Sequence, residues 1–450
     1  MFGLWGKVLK VDLSKGTIKE EAIPEDWAWK YLGGRGLATR YLIEEVPKGV
    51  DPLGPQNELI VMTGPLTGTA SPSSGRYCVV GKSPLTGTWG MGNAGGYWGP
   101  SFKGNGFDGV IFQGASDKPV YLVVDEGKVE LRSADHLWGK GVSETSRIIQ
   151  DELGEDFEVL TCGQAGENLV KYACPVADDH RTPGRCGYGA VMGSKRLKAV
   201  AARGTRETTI ANKEEFIKIA EKNYEFLDDS FIKAGMETYG TDMIIDMVNV
   251  RGFFPTKNSQ TGVCPFAEDI NGQALIDKML VDRKACYACS IKCGRVIEIK
   301  SGKYAGLKGE GPEYETVAAF GGMCYINDIE AIAYIHNLCD DYGLDVISTG
   351  STIAFAMECY QRGVLTKGDT DGLELTWGNT EVAIELVHKI AKREGIGNLL
   401  AEGTRIVAQK LGKGTDRYAM NVKGLELPGY EPRGAKLLGM SYATASRGGC

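Results

Sequence analysis

Glycine crowds the segment from residue 61 to residue 110, in a chain that already holds 62 glycines among its 450 residues. That is about twice the usual share of ~7%. Lacking Cβ, glycine lets backbone approach a neighbour closely and adopt conformations closed to other residues. The same stretch carries Pro, Ser and Thr interleaved with apolar and aromatic side chains, so it is not low complexity. It reads as a folded region whose backbone must come close to something.

The length allows roughly three domains of ~150 residues. Hydrophobic residues make up 42% and charged residues 24%, enough apolar material for substantial cores. The formal net charge of -7 argues against a nucleic-acid binder, which usually shows a basic patch or stripe. The opening "MFGLWGKVLKVDLSKG" lacks a basic stretch followed by an apolar one, as a secretory signal would have. No apolar run reaches the ~18 residues of a membrane span, so no membrane association is expected. Twelve cysteines, widely spread, read as reduced thiols of a cytoplasmic protein.

Residues 1–208 have the pattern of a β-rich domain. "GKVLKVDLSKGTIKEEAI" and "DKPVYLVVDEGKVELRSA" each suggest two strands about a turn, and "ELIVMTG", "GRYCVVG" and "DGVIFQG" are short apolar strands bounded by Gly. "PLTGT" occurs at 65–69 and again at 84–88, as if at equivalent turns of related sheets. From residue 209 the periodicity becomes helical. "NKEEFIKIAEKNYEFL" places Asn212 and Glu215 as a capping box. "NDIEAIAYIHNLCDDYG" and "NTEVAIELVHKIAKREG" each begin with Asn and are followed by Gly. The expected organisation is therefore α+β: a β-rich domain at 1–208, an α-helical domain at 209–424, and the start of a third domain at 425–450. That last piece is too short to bury a core of its own.

Cys286, Cys289 and Cys293 stand at C-x2-C-x3-C spacing in "RKACYACSIKCGRV". Iron–sulfur clusters take four thiolates, often several close together and one remote. Zinc is the rival, although closed zinc sites usually pair two such motifs or add histidines, and no histidine is near in sequence. Three buried thiols without metal are the third reading. A helix through this segment would put Cys289 and Cys293 on one face.

Arg181 and Arg185 flank a Pro-Gly turn in "DDHRTPGRCGYGAVMGSK", an arrangement suited to bidentate phosphate binding, or else a solvated loop. The glycines that follow do not make a dinucleotide fingerprint, and "LKAVAA" after them looks like strand. In "DDYGLD", Asp340 and Asp345 lie at a helix end closed by Gly343, able to accept paired N–H donors. Glu313 and Glu315 of "EGPEYETV" are general-base candidates if burial raises their pKa. His336 and His388 sit in amphipathic helices and read as structural.

Taken together, "LGGRGLA", "GPLTGT", "SGRYCVVGKSPLTG", "GNAGGYWG", "HRTPGRCGYGAVMGSKRLKAV", "CYACSIKCGRV", "EGPEYETV", "DYGLDVISTG" and "LELPGYEPRGA" occur in order. The chain resembles the tungsten-containing aldehyde:ferredoxin oxidoreductases along nearly its whole length. The resemblance implies a β-rich domain carrying a tungsten bis-pterin, with helical domains closing over it. It implies aldehyde oxidation to a carboxylic acid with water as oxygen source, electrons leaving through one [4Fe–4S] cluster to ferredoxin or another electron-transfer subunit. Carried over by position, Cys286, Cys289 and Cys293 would hold the cluster and Glu315 would be the active-site carboxylate. Arg76 would lie between pterin and cluster. Asn93, Gly95, Arg181, Thr182, Gly184, Arg185 and Arg447 would contact pterin or its phosphates, with carbonyls of Asn93 and Thr182 available to a bridging magnesium. Asp340, Leu344 and Asp345 would hold a pterin ring. The glycine density then acquires a purpose, because exposed N–H groups can meet anionic cofactors.

Two departures accompany the resemblance. Some relatives bridge subunits through a metal held by Glu and His, where this chain has Tyr334 and Ile384, so dimerisation by that route is not expected. The family's fourth cluster cysteine is expected beyond Cys450, together with a catalytic histidine. The competing functions are the tungsten subunit of a multi-subunit reductase acting on aromatic thioesters, and a non-catalytic cofactor-binding fragment.

Overall fold

In the computed structural model, which describes residues 1–450, the alternating runs of the first half build two mixed sheets. The first contains β1 (Lys7–Asp12), β2 (Thr17–Ala22), β3 (Leu59–Thr63), β4 (Tyr77–Lys82), β5 (Trp89–Ala94) and β6 (Gly109–Gln113), ordered β2-β1-β6-β3-β4-β5. The second contains β7 (Val120–Asp125), β8 (Lys128–Ser133), β9 (Glu158–Cys162), β10 (Pro175–Ala177) and β11 (Leu197–Arg203), ordered β10-β9-β11-β7-β8. Only β1–β6 and β7–β11 pair in parallel.

Side-chain alternation decides what each sheet buries. Leu59, Val61, Val79, Val110 and Phe112 of the first sheet face Leu122, Val124, Leu160 and Val200 of the second across one shared core. Trp98 is buried there, and its indole N–H donates to the Val200 carbonyl at 2.9 Å. The opposite face of the first sheet, with Ile60, Met62, Cys78 and Val80, packs on helix Gly34–Glu45. Strands β3 and β4 are thus covered on both faces, which explains their nearly unbroken apolar runs. The two "PLTGT" copies are not equivalent turns of related sheets. Both leave the same sheet, the first into the long loop before β4 and the second into the tight β4–β5 connection.

Helices dominate from Lys213 onward around a second, larger core. The capping box is formed, with Asn212 accepting the Glu215 N–H at 3.1 Å and its amide donating back to the Glu215 carboxylate at 3.0 Å. Two sequence-based boundaries shift slightly. Helix Ile329–Tyr342 is capped by Asp328 rather than by the preceding Asn, and helix Thr380–Lys392 ends on Arg393 in the left-handed region, two residues before Gly395. A small sheet of β12 (Leu280–Lys284), β13 (Gly294–Glu298) and β14 (Lys308–Glu310) interrupts the helices. The cysteine trio therefore lies on the β12–β13 loop and not on a helix, and Ala288 and Lys292 there have left-handed φ of 50° and 52°. No helix is long and apolar enough to cross a membrane.

Candidate cofactor site and its buried carboxylate

The cysteine loop is held against the loop between β3 and β4. Ser73 N–H donates to the Ala288 carbonyl at 2.6 Å, and the Tyr287 hydroxyl reaches the Gly68 carbonyl at 3.2 Å. From the other side the Tyr224 hydroxyl donates to the same Ala288 carbonyl at 2.9 Å. These contacts bring Cys286, Cys289 and Cys293 to a cavity of about 430 Å³, whose wall also contains Arg76, Asn93, Gly95, Arg181 and Thr182. Eight of the sequence-derived site residues thus share one space. The three thiols are half-buried. Burial, aided by Glu313, pushes the Cys293 thiol up to about 11, so it becomes a thiolate at neutral pH only when a metal takes the proton's place.

The cavity's glycines have a steric reason. A Cβ on Gly95 would stand 2.9 Å from the Cys286 sulfur, and one on Gly75 would meet the Gly96 carbonyl oxygen at 2.4 Å. Arg76 crosses the cavity wall to donate to the Asn93 side chain at 2.9 Å. Thiols, arginines and close backbone on one wall form a donor set suited to an iron–sulfur cluster beside an anionic cofactor.

The arginine turn splits its two guanidiniums. Arg181 pairs with Glu310 at 2.6 Å at the cavity wall. Arg185, buried, faces the other way: it donates to Asp345 at 3.2 Å and to the carbonyls of Glu426 and Gly449 at 2.6 and 2.9 Å. The three guanidinium nitrogens of Arg185 thus all bond to protein, and of the two arginines Arg181 lines the cavity. Asp345 is equally engaged, accepting from Arg185, from Ser348 and from the Ile347 N–H as the cap of helix Val346–Gln361. Leu344 is buried in the helical core. Gly184 adjoins β5, where a Cβ on Gly92 would meet the Pro183 carbonyl at 2.1 Å. Arg447 bonds the Met91 carbonyl of β5 and lies 2.8 Å from the Cys450 sulfur.

Asp340 reaches the cavity indirectly. One of its oxygens lies 3.0 Å from His180 Nδ1 and 3.5 Å from His336 Nε2, and both rings line the cavity. Burial lowers the pKa of His336, whereas for His180 the burial effect is outweighed by the bond to Asp340 and its pKa rises. The sequence reading of His336 as structural did not include this contact. Its signal was available: it precedes Asp340 by four residues and so shares its helix face. Glu310 also escaped notice, since nothing in its local sequence pairs it with Arg181. His388 is as expected, bonded to the Tyr342 hydroxyl at 2.8 Å.

Glu315 lies apart from the cysteine cavity. It sits at the start of a helix that widens into a π-helical segment over Val317–Met323. Such segments are frequent at functional sites. Its carboxylate accepts the Gly429 N–H at 2.8 Å and borders a small cavity lined by Ala319, Met323, Ile347, Met420 and Tyr430. Burial in these apolar surroundings pushes Glu315 up to about 7, with the Gly429 bond and Arg185 pulling weakly the other way. Tyr334 packs on Tyr304 with tilted rings, their centroids 5.0 Å apart, and Ile384 packs against the helical core.

The fold and the site together describe an α+β protein shaped around a redox cofactor. The family model for the aldehyde ferredoxin oxidoreductase N-terminal domain matches residues 8–204, and that for domains 2 and 3 of the same enzymes matches residues 218–450. The chain belongs to the aldehyde ferredoxin oxidoreductase family. It is 47% identical to the tungsten-containing aldehyde ferredoxin oxidoreductase of Pyrococcus furiosus and 46% to that of Thermococcus kodakarensis, in each case over 100% of this chain and 74% of the relative. Among solved structures it resembles the BamBC active-site complex of benzoyl coenzyme A reductase with 1,5-dienoyl-CoA, at a TM-score of 0.87 and 31% identity, covering 99% of this chain and 69% of that one.

Proposed function

We propose that this protein oxidises aldehydes to carboxylic acids at a tungsten bis-pterin centre and passes the electrons through a [4Fe–4S] cluster to ferredoxin. The observation that carries the reading is the single cavity in which the cysteine trio meets Arg76, Asn93, Gly95, Arg181 and Thr182. When bound, the tungsten bis-pterin supplies the two-electron oxidation and the cluster a one-electron route to the acceptor. Cys286, Cys289 and Cys293 would hold the cluster. Arg76, positioned by Asn93, would place its charge between cluster and pterin. Arg181 and the backbone of Asn93, Gly95, Thr182 and Gly184 would receive the pterin phosphates and their magnesium. Asp340, Leu344 and Asp345 would meet a pterin ring, with His180 and His336 orienting the first of these and Arg185 the last. Arg447 would complete the cofactor's surroundings beside β5.

Glu315 moves the proton. With a pKa of about 7 its carboxylate can take a proton from water or substrate and release it again at neutral pH. The Gly429 N–H fixes one oxygen of the carboxylate, which borders the small cavity. Oxidation of an aldehyde hydrate releases protons along with two electrons, and a buried carboxylate balanced near neutrality is suited to accept one.

A second reading rests on the structural neighbour: the same fold can serve as the tungsten subunit of a reductase acting on an aromatic thioester. The test is anaerobic purification with metal analysis, followed by dye reduction with aldehyde in one arm and by reduction of the aromatic ring of an aryl-CoA thioester with a strong reductant in the other. Aldehyde-dependent dye reduction by a protein containing tungsten and iron supports the first reading. Thioester turnover without it supports the second, and a metal-loaded protein inert in both would be the non-catalytic cofactor binder.

A further inference from the structure

Arg295 follows the last cysteine of the trio by two residues and is 1% exposed, among the largest fully buried side chains in the molecule. Burying a guanidinium is costly unless its donors are satisfied. Here they are spent mainly on backbone. One terminal nitrogen donates to the carbonyls of Cys293 at 2.9 Å and Tyr239 at 3.2 Å, and the other to the Pro312 carbonyl at 2.5 Å. The nearest carboxylates, Asp242 and Glu313, are 3.6 and 3.8 Å away, beyond hydrogen-bond length. Both oxygens of Asp242 lack any hydrogen-bond partner, as does Arg295 Nε.

This arginine therefore ties three segments together: the turn at residues 239–242, the cysteine loop, and the strand end leading into Glu313 and Glu315. The turn in its own right holds the start of the Glu315 helix, since the Thr241 hydroxyl accepts the Tyr314 N–H at 2.8 Å. Gly240 makes room for the guanidinium. Its φ is +62°, and a Cβ there would fall 1.0 Å from Arg295 Nη1, a position no side chain can share. The backbone around the third cysteine is thus built to admit a buried cation.

We infer that Arg295 is a positioning residue for the iron–sulfur site, fixing the Cys293 backbone and holding the cluster's reduction potential up through its incompletely paired charge. The inference rests on the cluster reading given above. A positive charge in a low-dielectric interior favours the reduced, more negative cluster, and Asp242 and Glu313, at 3.6 and 3.8 Å without a hydrogen bond, offset it only in part.

The experiment uses the anaerobically purified holoenzyme and an electron-paramagnetic-resonance titration of the reduced cluster. A wild-type protein without an iron–sulfur signal would overturn the cluster reading itself, before Arg295 is tested. Given that signal, Arg295→Gln should make reduction at least tenfold less favourable, ~59 mV for one electron. Arg295→Lys, which keeps the charge but loses the fork of donors, should stay within about threefold of wild type. If Arg295→Gln does not fold, Asp242→Asn tests the same field with the opposite sign, because it removes the nearest carboxylate and leaves the arginine charge in place. It should raise the potential, and a potential unmoved or lowered there would overturn the proposal. So would a potential unmoved in Arg295→Gln or equally lowered in Arg295→Lys.

Discussion

Glu315 accepts the Gly429 N–H at 2.8 Å across 114 residues of sequence, and this bond holds the proposed proton acceptor in an apolar pocket. With its pKa near 7, the ionised and useful form grows as pH rises through neutrality. Aldehyde oxidation, followed as kcat/KM, should climb about tenfold per unit below pH ~7 and level off above it. The stability linkage runs the other way. A carboxyl raised in the folded state contributes stability that is complete below its unfolded value of 4.5 and is lost as pH rises through about 7.

Glu315→Gln keeps the shape of that side chain and removes its proton chemistry. The variant should retain both cofactors by metal analysis, lose the rising limb of the pH profile and slow turnover by ~10²-fold or more. Near-normal turnover would move the role to Glu313.

Arg185→Ala should destabilise the protein whether or not cofactor is bound. It leaves Asp345 buried without its cation, a change that typically costs ~3–5 kcal/mol. Thermal unfolding of the apo-protein checks this. An unchanged Tm, with only cofactor retention reduced, would show that Arg185 serves the pterin and not the framework. Arg181→Ala, at the cavity wall, should do the reverse and weaken cofactor retention more than it lowers Tm.

Gly95→Ala places a methyl group 2.9 Å from the Cys286 sulfur. The variant should fold, by circular dichroism, and incorporate markedly less iron than the ~4 atoms expected of one cubane. Full iron occupancy would mean that Cys286 has room to move and that this glycine is not needed for close approach.

Loss of one thiolate of the trio gives the simplest check on the cluster. Cys289→Ser should abolish the cluster signal, while metal analysis of the wild-type holoenzyme should find both iron and tungsten. Stoichiometric zinc, with neither iron nor tungsten, would overturn the cofactor assignment.

Local chemistry was legible in the residues themselves. The strands β1 to β4, the Asn212 capping box and the left-handed Gly343 after helix Ile329–Tyr342 depend on alternation, side-chain reach and backbone freedom within a few residues. The cysteine spacing and glycine density pointed toward a cofactor, and family resemblance implied a role for each candidate site residue. Tertiary structure alone decided how charges pair. Arg181 and Arg185 stand four residues apart on one turn, yet one meets Glu310 and the other Asp345, 129 and 160 residues away. The cysteine loop is a β-connection because Gly294 pairs with Lys284, a register that C-x2-C-x3-C spacing does not encode. His336 and Arg295 looked ordinary for the same reason. A buried polar group takes its meaning from the partner that satisfies it, and that partner is chosen by the packing of distant segments.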